Sequence, residues 1–117
     1  MLKLSAFADE IGPDLDEQIR VCKANAVTHF ELRGVYGKNV MDFDAALRNE
    51  IRTKLSDNGM GVISMKLAGE GRFTERADRQ AALKFAFRNA GVDCVTIGFK
   101  NTGEIDEAIQ NLNMALA

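Results

Sequence analysis

Four times along this chain, a short run whose apolar residues recur at every second position gives way to a longer run whose apolar residues recur at every third or fourth. A period of two belongs to strands and a period near 3.6 to helices, so the order reads strand then helix, four times over. Consecutive strands joined by a helix are parallel, because a parallel pair needs a crossover that a tight hairpin cannot supply. The chain has 117 residues, 46% of them hydrophobic and 27% charged, which suits one domain around one modest core. The expectation is a single α/β domain over residues 1–117.

Each unit carries its own punctuation. Leu2 to Ala8 reads as the first strand, and Gly12-Pro13 breaks the chain before Asp14 and Glu17, a capping-box pair ahead of Leu15, Ile19, Cys22 and Ala26. Val27 to Arg33 is the second strand and Gly34 to Met41 a loop; Leu47, Ile51 and Leu55 mark a helix stopped by Asn58-Gly59. Val62 to Leu67 is the third strand, Gly69-Glu70-Gly71 a loop, and Leu83, Ala86, Phe87 and Ala90 line a helix that ends at Gly91. The fourth unit is Val92 to Phe99, followed by a helix with Ile105, Ala108, Ile109, Leu112 and Leu116 on its core face behind a second capping pair, Asn101 and Glu104.

Two architectures accommodate four such units: a flavodoxin-like open sheet with helices on both faces, or a (βα)4 half of a TIM barrel with helices on one. Strands covered on both faces are near-continuous apolar runs, and these strands alternate instead. Leu2, Leu4, Ala6 and Ala8 oppose Lys3, Ser5 and Phe7; Thr28, Phe30 and Leu32 oppose His29, Glu31 and Arg33; Ile63, Met65 and Leu67 oppose Val62, Ser64 and Lys66; Val95 and Ile97 oppose Cys94 and Thr96. The first set in each strand is expected to face the helices and the second a lumen. Four strands alone leave that lumen and two edges open, which natural proteins avoid. The expected remedy is a homodimer in which each chain supplies four strands of a closed (βα)8 barrel.

A net charge of −2 with scattered Lys and Arg gives no footprint for a nucleic-acid backbone. No apolar run approaches the ~18 residues of a membrane span, and the first residues lack the regions of a signal peptide. A cytoplasmic chain with neither nucleic acid nor membrane as partner is expected. Cys22 and Cys94 have no Cys-x-x-Cys spacing and read as two small buried thiols rather than a disulfide or zinc site.

His29, Glu31 and Arg33 share one strand face and are the catalytic candidates, since such a trio can hold a polyhydroxy substrate or move protons near neutral pH. The same trio can instead satisfy itself as a salt-bridge network. One imidazole and one carboxylate fall short of the three or four ligands a metal needs, so no metal is expected unless a two-fold dimer doubles the set. Asp9 and Glu10 end the first strand, where a TIM barrel carries its chemistry. Adjacent residues on a strand point to opposite faces, so these two read as loop and capping groups, and Gly69-Glu70-Gly71-Arg72 reads as a turn. Gly98-Phe99-Lys100-Asn101 leads into a helix N-terminus, whose free N–H groups favour phosphate or another anion.

Ser5-Ala6-Phe7-Ala8-Asp9-Glu10-Ile11, Asp14-Leu15, His29-Phe30-Glu31-Leu32-Arg33-Gly34-Val35, Gly37-Lys38-Asn39-Val40 and Gly59-Met60-Gly61-Val62-Ile63-Ser64 resemble the start of the sugar phosphate isomerase/epimerase proteins with a xylose-isomerase-like TIM barrel. That resemblance covers residues 1–64. Residues 61–117 look like the C-terminal end of an aldo/keto reductase, through Gly61-Val62-Ile63-Ser64-Met65-Lys66, Gly69-Glu70-Gly71-Arg72 and the run from Val95-Thr96-Ile97-Gly98 to Glu107-Ala108-Ile109. Gly61-Val62-Ile63 suits both families, so the chain resembles a chimera of two TIM-barrel fragments joined strand on strand. The second resemblance implies an adenosine-phosphate site for NADP at Gly98, Lys100, Asn101 and Glu107. The first implies sugar isomerase or epimerase chemistry. Metal ligands of the first family come largely from later strands, and the catalytic tetrad of the second from earlier parts of its barrel. The expectation is a self-associating half-barrel with no catalytic function and at most a vestigial phosphate or anion site. The alternatives are an isomerase-like enzyme assembled at a dimer interface and a module binding NADP or a phosphorylated small molecule.

Overall fold

The computed structural model describes residues 2–67 and 69–117, and the chain divides into two compact units, Met1–Ile63 and Ser64–Ala117. Unit 1 runs β1 (Leu4–Ala6), a 3-10 turn (Ala8–Glu10), α1 (Leu15–Ala24), β2 (Val27–Glu31), β3 (Gly34–Val35), β4 (Lys38–Asn39), α2 (Ala45–Asp57) and the start of β5 (Gly61–Met65). β1 pairs in parallel with β2, and β2 with β5. The strands are shorter than expected, and Phe7 and Arg33 lie beyond the ends of theirs.

The sequence punctuation fixes the helices of this unit. The Asp14 carboxylate accepts the Glu17 N–H at 2.9 Å to start α1, and Asp44 accepts the Leu47 N–H at 2.7 Å to start α2, caps worth ~1 kcal/mol each. Leu15, Ile19 and Cys22 of α1, Ile51 and Leu55 of α2 and Phe30 of β2 form one buried cluster with Val35, Phe43 and Met60. Both helices therefore cover the Phe30 side of the sheet. Inside the expected loop at Gly34 to Met41 lies an antiparallel hairpin, β3 with β4. Its two central residues, Tyr36 and Gly37, take φ of 54° and 75°, as a two-residue hairpin turn of the primed type requires. Tyr36 is anchored there by its N–H to the Pro13 carbonyl at 2.6 Å and its hydroxyl to Glu50 at 3.0 Å.

The face assignment holds where Ser5 pairs with His29 and Ala6 with Phe30, but the register shifts ahead of them: Leu4 pairs with Val27, which packs against the core, and Thr28, expected on the Phe30 face, is skipped and exposed. The assignment is reversed in β5. Register places Val62 beside Phe30, Ile63 beside Glu31 and Gly61 beside His29, so Val62 faces the helices and packs against the core, while Ile63 shares the open face. The cause is the imidazole of His29. A Cβ at Gly61 would stand 2.5 Å from its ring, so the residue beneath that ring must be the one without a side chain, and the parity of the strand follows.

Unit 2 continues β5 and adds a turn (Gly69–Gly71), α3 (Arg76–Lys84) running on as a π-helical segment (Phe85–Ala90), β6 (Cys94–Thr96) and α4 (Thr102–Leu116). Gly91 ends the third helix as expected, with φ of 66°. β6 neighbours β5, so strand order follows chain order. A flavodoxin-like order, 2-1-3-4-5, would put the first strand inside the sheet, whereas β1 stands at its edge.

The core face expected for α4 is corrected. Arg76 donates to Gln110 at 2.8 Å and to Asn111 at 3.4 Å, Arg79 grips Glu107, and Arg88 donates to the carbonyls of Ala115 and Ala117. Glu107, Asn111 and Ala115 recur at i, i+4 spacing and form the face of α4 turned to α3, with Asn111 and Ala115 buried. The expected stripe is only partly covered: Ala108 and Leu112 are half-buried, whereas Ile105 is 40%, Ile109 52% and Leu116 56% exposed.

Candidate functional site

A cluster of charged side chains forms where β1 and β2 end. Just past β1, the chain tightens into the 3-10 turn Ala8–Glu10, so Asp9 and Glu10 are not on a strand and do not diverge. Both reach Arg33. Its Nε donates to Asp9 Oδ2 at 2.8 Å, and its Nη2 to Asp9 Oδ1 at 3.0 Å and Glu10 Oε1 at 2.7 Å. The guanidinium carbon also stands 4.6 Å from the centre of the Phe7 ring, within cation–π range. The hydrogen bonds it donates to Asp9, then to Glu10, push the Arg33 pKa higher still. Gly34 makes room, since a Cβ there would lie 3.1 Å from Asp9 Oδ2. Beside the cluster opens a shallow cleft bordered by Asp9, Pro13, Arg33, Gly34, Lys38 and Asn39. Beneath it buried Gln18 ties two loops together, its Nε2 donating to the Gly12 carbonyl at 2.7 Å and the Gly34 carbonyl at 3.3 Å. Two carboxylates held by one guanidinium make a clamp that fixes all three side chains at the strand ends.

The three catalytic candidates do not act on one another. Glu31 accepts from Ser5 Oγ at 2.6 Å, His29 Nδ1 lies 2.8 Å from Thr28 Oγ1, and Arg33 belongs to Asp9 and Glu10. Strand parity could have found Ser5, which sits on the same face as Glu31. Nothing periodic in the sequence reveals the turn that brings Asp9 and Glu10 together. Among the described residues, no group of three or more His, Cys, Asp or Glu is placed to hold a metal ion. Cys22 is buried and burial pushes its thiol pKa up, but Cys94 is exposed, which corrects the expectation of two buried thiols. Among the described residues, no helix is long and apolar enough to cross a membrane.

At the start of α4 the expected capping pair is formed. Asn101 accepts the Glu104 N–H at 3.0 Å, and the Glu104 carboxylate reaches back to the Lys100 N–H at 2.8 Å. An anion binding at this helix end meets that carboxylate first. Gly98 and Lys100 lie exposed ahead of the helix. Glu107 is turned to α3, where Arg79 forks onto it at 2.7 and 2.9 Å.

Hydrogen bonding from Arg79 holds the Glu107 carboxyl below its ordinary pKa. A carboxyl depressed in the folded state adds stability that is complete above its unfolded pKa and is lost as pH falls through the folded value. Arg79→Met is therefore expected to flatten the acid side of the stability profile. The check is the urea midpoint followed by circular dichroism between about pH 6 and pH 3, a range spanning the unperturbed Glu value. Parallel decline in the variant and the parent would show that the pair contributes nothing.

Comparison with protein-family models, with curated proteins and with solved structures finds no match for this chain.

Proposed function

We propose that this chain is a TIM half-barrel module whose function is self-association, two copies completing one eight-stranded barrel. The observation that carries this is a contrast between side chains and backbone. The charged groups at the end of β2 find partners on the β1 side, Arg33 in Asp9 and Glu10 and Glu31 in the Ser5 hydroxyl. The outer strands β1 and β6 each keep an edge with no neighbour among the described strands. Such an edge is a row of unpaired N–H and C=O groups that templates another strand.

Barrels whose interior side chains just fill the lumen have about eight strands, so four are supplied twice. A two-fold axis pairs β1 of each copy with β6 of the other and satisfies both edges at once. The resemblance of each half to a TIM-barrel fragment agrees with this, and the division between the compact units, after Ile63, falls where the two resemblances meet.

Light scattering at micromolar concentration is expected to give twice the chain mass of 12.8 kDa. The thermal unfolding midpoint is expected to rise with concentration, because dissociation is coupled to unfolding. A species of single chain mass with a concentration-independent midpoint would overturn the proposal.

A further inference from the structure

The two residues that stop α2 are also a chemically labile pair. Asn58 is the one asparagine of this sequence followed by glycine, and an asparagine amide is attacked most readily when the next residue has no side chain to crowd its backbone nitrogen. The reaction is deamidation. The Gly59 nitrogen gives up its proton to solvent base and attacks Asn58 Cγ; the Cγ–Nδ2 bond breaks, and Nδ2 takes a proton from water and leaves as ammonia. Water then opens the five-membered imide at either carbonyl, leaving an aspartate or its isomer with the main chain routed through the side chain.

The end of the helix requires that glycine and at the same time withholds the reaction. Gly59 takes φ of 65°. Its N–H donates to the Ser56 carbonyl at 3.0 Å and the Met60 N–H to the Leu55 carbonyl at 2.9 Å, the two bonds of a Schellman motif, so the nucleophile is already engaged. Asn58 has ψ of 5°, which sets the Gly59 nitrogen against the Asn58 backbone nitrogen rather than under Cβ, where ring closure needs it. The electrophile is held at both ends. Asn58 Nδ2 donates to the Lys54 carbonyl at 2.8 Å, and Oδ1 accepts from Lys23 Nζ of α1 at 3.2 Å. All of these groups belong to unit 1.

We propose that Asn58-Gly59 is a deamidation site gated by the C-terminal cap of α2, reacting only when that cap opens, with Lys23 holding it shut. The product cannot rebuild the cap. A carboxylate has no proton to donate to the Lys54 carbonyl, and it adds negative charge where the helix dipole is already negative. The isomer also lengthens the main chain by one atom just before Met60, a member of the buried cluster. Conversion therefore runs toward a less stable unit 1.

Chains incubated at mildly alkaline pH and digested with trypsin yield peptide 55–66, in which Asn58 is the sole amide side chain; its mass gain and isoaspartate content follow the reaction. The folded parent is expected to convert at least about tenfold more slowly than the same chain in guanidinium chloride, because the reactive population is the opened one. Lys23→Met is expected to speed conversion of the folded chain about threefold or more with little change in its urea midpoint, and Lys23→Arg, which keeps a donor, to restore the parent's rate.

No conversion of the unfolded chain would overturn the site, and equal rates in the folded and unfolded chain would overturn the gate. A Lys23→Met rate that is unchanged, or that rises only as far as overall stability falls, would place the control in global unfolding and overturn the inference.

Discussion

Replacing Phe30 with alanine is expected to cost about 3–5 kcal/mol and to lower the urea midpoint of the chain sharply. Phe30 is 1% exposed and lies on the middle strand of unit 1, with Ala6 and Val62 as its register partners. The residues that α1 and α2 send to the core belong to the same buried cluster, so removing the ring opens a cavity between both helices and the sheet. A unit of this size buries a smaller share of its surface than a large domain does, and whole domains hold only ~5–15 kcal/mol. The loss is therefore a major part of the total. Urea denaturation at one fixed chain concentration measures it, with Met41→Ala, at an exposed position, as a control that should stay within ~0.5 kcal/mol of the parent. A cost below ~1 kcal/mol at Phe30 would mean that the cluster is not the core of this unit.

The helices of unit 1 were legible because their signals are local. Asp14 and Glu17, three residues apart, show the start of α1 without any knowledge of its neighbours. The pairing of Ser5 and Glu31 on one face follows from the period of two, a property of each strand by itself. What could not be read was set by residues distant in sequence. In β5, Val62 and Ser64 alternate with Ile63 and Met65, and both sets contain apolar side chains, so the pattern has no contrast to say which faces inward; a slip of one residue exchanges the faces. The choice is made by His29, on another strand.

The face of α4 failed for a related reason. Its apolar stripe is a clear helical signal, but Arg76, Arg79 and Arg88 lie before β6 in the chain, and it is their hydrogen bonds that turn Glu107 and Asn111 toward α3. By strand periodicity alone, Asp9 and Glu10 are the diverging end of a strand. Element boundaries shift by a residue or two, and at this boundary the shift changes what the two carboxylates can reach.

Gly61→Ala is expected to destabilise the chain by about 1–3 kcal/mol, against the usual direction. Alanine inside a strand ordinarily gains roughly 0.5–1 kcal/mol over glycine through lower unfolded-state entropy. At this position the new methyl would stand 2.5 Å from one ring atom of His29 and 2.7 Å from another, well inside contact distance. The ring does not yield freely, because Nδ1 is tied to Thr28 Oγ1 at 2.8 Å. Moving the imidazole breaks that bond, and moving β5 disturbs the packing of Val62 against the core. Removing the ring should remove the penalty: in a His29→Ala background, Gly61→Ala is expected to be neutral or mildly stabilising. Urea midpoints of the four chains at one concentration give the coupling between the two sites directly. If Gly61→Ala costs the same with and without His29, the methyl meets something other than the ring, and the placement of Val62 inward and Ile63 outward loses its physical cause.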